Sequence, residues 1–339
     1  MEYDKPFLTY EQQINRLRSR YNITQSIDPR IDKTLLESIS YYDLINGYQD
    51  CFINNPDIKS LSLIDLFYFK MFDMNFQNIL FKYSVFAENS FKTKLAYILS
   101  KNYGEHIDNY LNIHNFSSSR RNRSRLNSTL NKIRDVLLKD DEPTRHYRDN
   151  HNHIPAWILF KNVSFNNCIN LHTFLREDVK LALIKRFFEV SIFSNDDYFR
   201  LFKSFISIVR KFRNKIAHNA KFITYRVEPE YELIQHKLFQ LNPYDLMRGE
   251  DFNTQIGRND IFSMIISLCV ILDNPFLART MLYEIRAALN TPFKDLGVDI
   301  VGEYLKITKL PTNLTNRIDN INFEKILENH LKKWKEEKD

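Results

Sequence analysis

Apolar positions recur three and four residues apart over long runs of this chain, and period-two alternation is scarce. From Ser60 to Ser100 the series Leu63, Leu66, Phe67, Phe69, Phe72, Phe76, Ile79, Leu80, Tyr83 and Phe86 continues through Phe91, Leu95 and Ile98. It stops at Asn102-Tyr103-Gly104, where glycine can take the left-handed turn that ends a helix. One or two long core helices are predicted here. Near the N-terminus, Thr9-Tyr-Glu-Gln12 has the form of a capping box, so a helix should run from there to about Tyr21, and a second should span 33–48. Further helices are predicted over 156–174, 176–188, 196–219, 258–273, 275–290 and 322–336. The basic run from Ser117 to Arg125 leads into a short helix; 140–155 reads as a loop, and 224–226 as a short strand or extended exit. No internal repeat is visible. The pattern predicts an all-α fold in three parts: 1–59 an N-terminal helical region, 60–226 a helical core with a basic insertion near 117–139, and 227–339 a C-terminal helical region.

Composition narrows the function classes. Only 6 of 339 residues are glycine, which argues against glycine-rich phosphate loops and tightly turned β-architectures. The formal charge of +6 favours an anionic partner without naming one. Cys51, Cys168 and Cys269 form no CxxC pair and sit among apolar residues, which predicts buried free thiols in a reducing compartment. The polar start Met-Glu-Tyr-Asp-Lys-Pro does not read as a signal peptide. The most apolar stretch, Phe262 to Leu272, is 11 residues long, short of the roughly 20 needed to span a bilayer. A cytoplasmic protein without a membrane segment is therefore expected.

The chemistry concentrates on the predicted helix before Lys221. At 100° per residue, Leu201, Phe205, Ile208, Val209, Phe212 and Ile216 share one arc, which should face the core. Lys203, Ser207, Arg210, Lys211, Asn214, His218 and Lys221 lie opposite. Arg210, Asn214 and His218 stack at intervals of four, while Arg213 sits at the margin of the apolar arc, from which a long stem could reach toward His218. Such a marginal cation wants a partner. Spacing alone is weak, since most basic helix faces are simply solvated.

The string Arg213-Asn-Lys-Ile-Ala-His218 resembles the R-N-x3-H signature of HEPN ribonucleases. Other segments resemble the Abi-like (AbiF/AbiD) abortive-infection family: Lys5-Pro-Phe-Leu-Thr-Tyr-Glu-Gln-Gln13, Ile39-Ser-Tyr-Tyr-Asp-Leu-Ile-Asn-Gly-Tyr48, His146-Tyr147 followed by Pro155-Ala-Trp157, and Asn259-Asp-Ile-Phe-Ser-Met-Ile-Ile-Ser267. They occur in order and span most of the chain. Asn166-Asn167 departs from the glycine expected near the end of the Pro-x-Trp helix.

This resemblance implies a HEPN-type helical bundle with N- and C-terminal helical additions, and an endoribonuclease toxin of phage defence. Arg213 would stabilise the phosphate, Asn214 would orient, and His218 would serve as general acid or base. An E-x3-K/R motif is implied on an earlier helix; Glu88-Asn-Ser-Phe-Lys92 fits it, and Glu88 should hold Arg213 by a charge-assisted hydrogen bond. The alternative for Glu88 and Lys92 is an ordinary surface pair. Arg210 would support the site. The implied chemistry needs no metal and no cofactor, and the implied partners are RNA, a small non-coding regulatory RNA and a second copy of the chain, whose motif would complete a composite site.

Several other groups are candidates for contact with RNA phosphates: Arg120, Arg121, Arg123, Arg125, Lys132 and Arg134 in the basic insertion, and Lys211, Lys215 and Lys221 on the motif helix. The insertion could equally be a soluble loop. His146, Asp149, His151 and His153 have metal-ligand composition but no zinc-type spacing, so no metal site is predicted. Tyr41, Tyr42 and Tyr48 could stack on bases, though packing in an N-terminal unit is the preferred reading. The rival functional reading is a catalytically silent scaffold that binds RNA or a protein; a purely structural helical adaptor is a third.

Overall fold

The computed structural model describes residues 5–26, 28–188, 192–293 and 296–336. The expected all-α fold is observed. Two-residue strands β1 (Ile23–Thr24) and β2 (Leu61–Ser62) pair in parallel and form the only named sheet among the described residues. Helix α1 (Tyr10–Tyr21) begins at the predicted capping box: Gln12 donates its backbone N–H to the Thr9 hydroxyl, and Thr9 donates its own to the Gln12 side chain. Helix α2 (Pro29–Ser38) is shorter than predicted. The chain leaves it at Ile39 and makes two π-type turns, Tyr42–Asn46 and Gln49–Ile53.

The long apolar series forms one unbroken helix, α3 (Leu63–Tyr103), about 60 Å long at 1.5 Å per residue. Ser62 and Asp65 cap its start, and Gly104, at φ +87°, ends it. Its buried side chains recur every three or four residues along one broad face, and Tyr68, Met71, Met74, Val85 and Phe86 on the other side are exposed. Helix α4 (Ile107–Tyr110) is a single turn. The basic insertion is an ordered helix, α5 (Arg123–Arg134). Part of the predicted 140–155 loop is helical, as α6 (Thr144–Asn150). The predicted helix over 156–174 breaks at Val163-Ser164 into α7 (Ala156–Asn162) and α8 (Phe165–Thr173), because Ser164 caps a new start by accepting from Asn167. Helices α9 (Glu177–Ile184) and α10 (Asn195–Ala217) follow.

Residues 224–226 form a turn and extended exit and are not part of a named strand. Beyond them come α11 (Gln235–Leu241), α12 (Gly249–Thr254), α13 (Ile261–Leu272), α14 (Pro275–Leu289), α15 (Ile300–Thr308), α16 (Leu314–Asp319) and α17 (Phe323–Glu336). Every residue of α13 is buried, so the chain's most apolar stretch is a core helix packed on α10, α3 and α14. No described helix is long and apolar enough to cross a membrane.

The core is continuous across both predicted boundaries. Phe52 stacks on Phe69 of α3 at 4.0 Å, and Tyr304 of α15 meets Phe72 edge-on at 4.8 Å. The phenols of Tyr48 and Tyr304 both donate to the buried Asp73 carboxylate, at 2.9 and 3.2 Å. Helix α3 thus ties the first 59 residues to the last hundred or so, and α10 lies against it with its C-terminal end free for chemistry.

Candidate functional site

Ser194 caps α10 by accepting from the Asp197 backbone N–H. The predicted apolar arc is buried from Leu201 to Phe212, and Ile216 at the helix end is only partly covered. Ser207, expected on the polar face, is 2% exposed, because α10 packs on α3, α8, α9 and α13 and its buried arc is wider than one stripe. The helix stops at Ala217, two residues before the predicted end. Asn219 takes φ +48°; its N–H bonds to the Ile216 carbonyl at 3.0 Å, and that of Ala220 bonds to Lys215 at 3.0 Å. These two bonds make a Schellman cap, and asparagine is one of the few residues that enter this left-handed conformation readily. The cap leaves His218 exposed at the helix end.

Arg210, Asn214 and His218 line one open depression of about 320 Å³, as their spacing predicted, together with Lys211, Lys215, Ala220, Tyr225 and Glu228. Arg213 does not line it. Its guanidinium turns the other way, over the Phe81 ring at 5.8 Å and toward Glu88, with Nη2 3.7 Å from Oε2. The expected short hydrogen bond from Arg213 to Glu88 is therefore an ion pair instead. Lys92 takes the close contact, its Nζ 2.6 Å from Glu88 Oε1, because it lies one turn along the same helix face. Glu88 and Lys92 are each only 9% exposed, so the surface-pair alternative fails. Asn214 joins the two sides: its Oδ1 accepts from Arg213 Nη1 at 3.3 Å while its side chain borders the depression.

The three α10-side lysines expected to meet RNA have protein partners. Lys211 bonds Glu228 at 2.7 Å and lies over Tyr231, Lys215 lies over the Tyr225 ring at 4.6 Å, and Lys221 pairs with Asp50 at 3.5 Å. Burial pulls the Glu228 carboxyl upward, but the Lys211 hydrogen bond and the nearby Arg210 outweigh it and hold Glu228 below its ordinary range. Burial, with Glu228 beside it, raises the Tyr225 phenol. The depression therefore has one imidazole, one amide and a cationic rim partly neutralised by Glu228.

The model of the Abi-like protein family matches residues 34–224, more than half of the chain and the span from α2 through the turn after α10. The chain belongs to the Abi-like protein family. Membership suggests a role in abortive infection, a form of phage defence. No curated protein and no solved structure matches it significantly.

The remaining candidates of this Abi-like protein lie elsewhere. Arg120, Arg121, Arg123, Arg125, Lys132 and Arg134 fall on α5 and the turn before it, against α8, and none lines the depression at His218. Two of the six are structurally engaged: Arg125 donates to Asn170 and Arg134 to the Leu111 carbonyl. Arg120, Arg121, Arg123 and Lys132 are exposed and have no ion pair among the described residues. His151 stacks on Tyr147 at 4.4 Å with His146 edge-on beside it, and among the described residues no group of three or more His, Cys, Asp and Glu could hold a metal ion. Cys168 and Cys269 are buried as expected, and Cys51 partly so.

The tyrosines divide. Tyr48 packs in the core and Tyr41 is half-buried, but Tyr42 is 71% exposed. Sequence reasoning missed the recess that Tyr42 borders, because its walls come from the π-type turns, α3 and the α10 cap. The one signal for it was Gly47, where an added Cβ would stand 2.7 Å from the Asp43 carbonyl oxygen.

Proposed function

We propose that this Abi-like protein is a HEPN-type endoribonuclease toxin of phage defence. One observation carries the reading: Asn214 links the Arg213 guanidinium to the depression that holds His218. RNA supplies its own nucleophile. In the proposed reaction the 2′-hydroxyl loses its proton to an imidazole and attacks the adjacent phosphorus, and the bond to the 5′-oxygen breaks as that oxygen gains a proton. The products are a 2′,3′-cyclic phosphate and a 5′-hydroxyl. Imidazole suits both proton transfers near neutral pH. A guanidinium matches two phosphoryl oxygens and stabilises the charge of the transition state. The chemistry requires no metal ion.

One chain offers one such imidazole in the depression, while the reaction uses an acid and a base. A homodimer that brings two Arg213–His218 segments together would supply both, and would give the turned-away Arg213 a phosphate to meet. Resemblance to AbiF-type proteins adds a small non-coding RNA as the restraining partner. The test is cleavage of single-stranded RNA by the purified protein. His218→Ala should lower the rate at least a hundredfold, in line with the roughly 10²–10⁴-fold share of general acid–base catalysis, with the helical circular dichroism spectrum unchanged. Wild-type rates in that variant would exclude the assignment.

The orientation of Arg213 favours one rival, a silent RNA-binding scaffold, because this guanidinium lies against Glu88 outside the depression. Expression toxicity separates the two. A scaffold would be equally harmless as wild type and as the Arg213→Ala/His218→Ala double variant.

A further inference from the structure

Beside the depression at His218 lies a second recess, of about 240 Å³. Ala220 lines both, and Asn219, the residue after His218, lines the second recess. The recess is smaller than the roughly 300–1,000 Å³ of sites that enclose a drug-sized ligand, and suits a single heterocycle. Its floor includes Asp73, 3% exposed, on which the phenols of Tyr48 and Tyr304 converge. Gln77 is a third hydrogen-bond partner of Asp73; a carboxylate offers about four acceptor positions, so these three bonds leave capacity for about one further donor. Asp43 is a second carboxylate in the lining, Gln77 adds an amide, and Lys70 and Lys221 add two ammonium groups. At the mouth stands the exposed ring of Tyr42.

We infer that this recess is a nucleobase subsite, in which Tyr42 stacks on a base whose N–H edge faces the carboxylates, next to the phosphate handled at His218. The occupant follows from the chemistry. The carboxylate oxygens accept the amino and imino hydrogens of a base, guanine above all, and a free aromatic face holds any base by stacking, whereas a phosphate would meet only Lys70 and Lys221 and would face both carboxylates. The local backbone is built for the recess: two π-type turns, an irregularity frequent at functional sites, carry Tyr42, Asp43, Asn46 and Tyr48 to its walls. Gly47 permits them, since any Cβ there would meet the Asp43 carbonyl. Burial raises the Asp73 carboxyl and outweighs the hydrogen bonds from Tyr48, Gln77 and Tyr304 and the charge of Lys70.

The subsite deepens the ribonuclease reading and rests on it for its role, but its occupancy is measured apart from cleavage. Guanosine, uridine and inorganic phosphate are titrated into the full chain, wild type, Tyr42→Ala and Tyr42→Phe, with binding read by calorimetry. In parallel, RNA oligonucleotides differing in the base beside the cut are cleaved by the same proteins. Guanosine should bind tightest, about tenfold more weakly to Tyr42→Ala, and normally to Tyr42→Phe, in line with the cost of losing one stacking ring. Tyr42→Ala should raise KM about tenfold on the preferred RNA, flatten the base preference and leave kcat unchanged. Binding that Tyr42→Ala does not weaken, uridine binding equal to guanosine, or phosphate competing as well as guanosine each overturns the subsite. Guanosine binding that depends on Tyr42, in a protein that cuts no RNA, upholds the subsite and removes the nuclease reading. Cleavage with an unaltered base preference in Tyr42→Ala does the reverse.

Discussion

At the scale of single residues, the least accommodated group is His172. It is buried between Phe91 and Phe202, with ring centroids 6.1 and 5.2 Å away, and neither ring nitrogen has a hydrogen-bond partner among the described residues. Burial, aided by the charges of Lys180 and Lys203, pushes its pKa down to about 3. An unfolded histidine takes up its proton near 6.5. Between these values the unfolded chain binds the extra proton and the folded chain does not. Stability from this residue is therefore complete above pH ~6.5 and falls as pH drops toward 3, at no more than about 1.4 kcal/mol per pH unit. Urea unfolding of wild type and His172→Phe at pH 7 and pH 5 should show a smaller loss on acidification in the variant. An identical loss would mean that His172 titrates freely in the folded state. Nothing in the sequence singled out His172, since its isolation comes from aromatic neighbours 30 and 81 positions away. His218 and Asn214, in contrast, were legible, because a spacing of four on one helix puts them together whatever surrounds the helix.

At the scale of elements, α3 and α10 meet through Glu88, which holds Lys92 closely and Arg213 loosely. Losing the Glu88 charge leaves a buried ammonium without its counter-charge, a loss of the order of 3–5 kcal/mol in comparable pairs. Glu88→Gln should therefore be strongly destabilised in urea unfolding, and Glu88→Gln/Lys92→Met should regain most of the loss. A single-variant cost below about 0.5 kcal/mol would return the pair to the energetics of an exposed salt bridge. Activity of Glu88→Gln alone would mix lost fold with lost alignment of Arg213, so the double variant is the useful background for cleavage assays. Element ends were the weakest part of the sequence reading. The break at Ile39 and the restart at Ser164 occur inside apolar periodic runs, where periodicity continues although the backbone does not.

At the scale of the molecule, the family match ends at residue 224, yet beyond it α13 packs directly on α3 and α10, and α14 on α3. The helix that carries His218 is thus seated partly by the C-terminal third of the chain. The functional proposal also reaches beyond one chain. If two copies share the catalytic groups, cleavage per protein molecule should fall on dilution below the dimer dissociation constant, in step with the dimer fraction measured by sedimentation. A specific rate independent of concentration across a monomer–dimer transition would show that one chain suffices.

The sequence by itself determined the all-helical architecture, the α1 capping box, the helical apolar run of α3 and the shared face of Arg210, Asn214 and His218. All of these follow from local periodicity and local hydrogen bonding. Only the tertiary structure decided where Arg213 points, because at the margin of α10 its direction depends on a carboxylate 125 positions earlier and the Phe81 ring beside it. The recess at Tyr42 was decided in the same way. Its floor, wall and mouth come from α3, the α10 cap and the turns after α2, and only packing brings them within reach of one another.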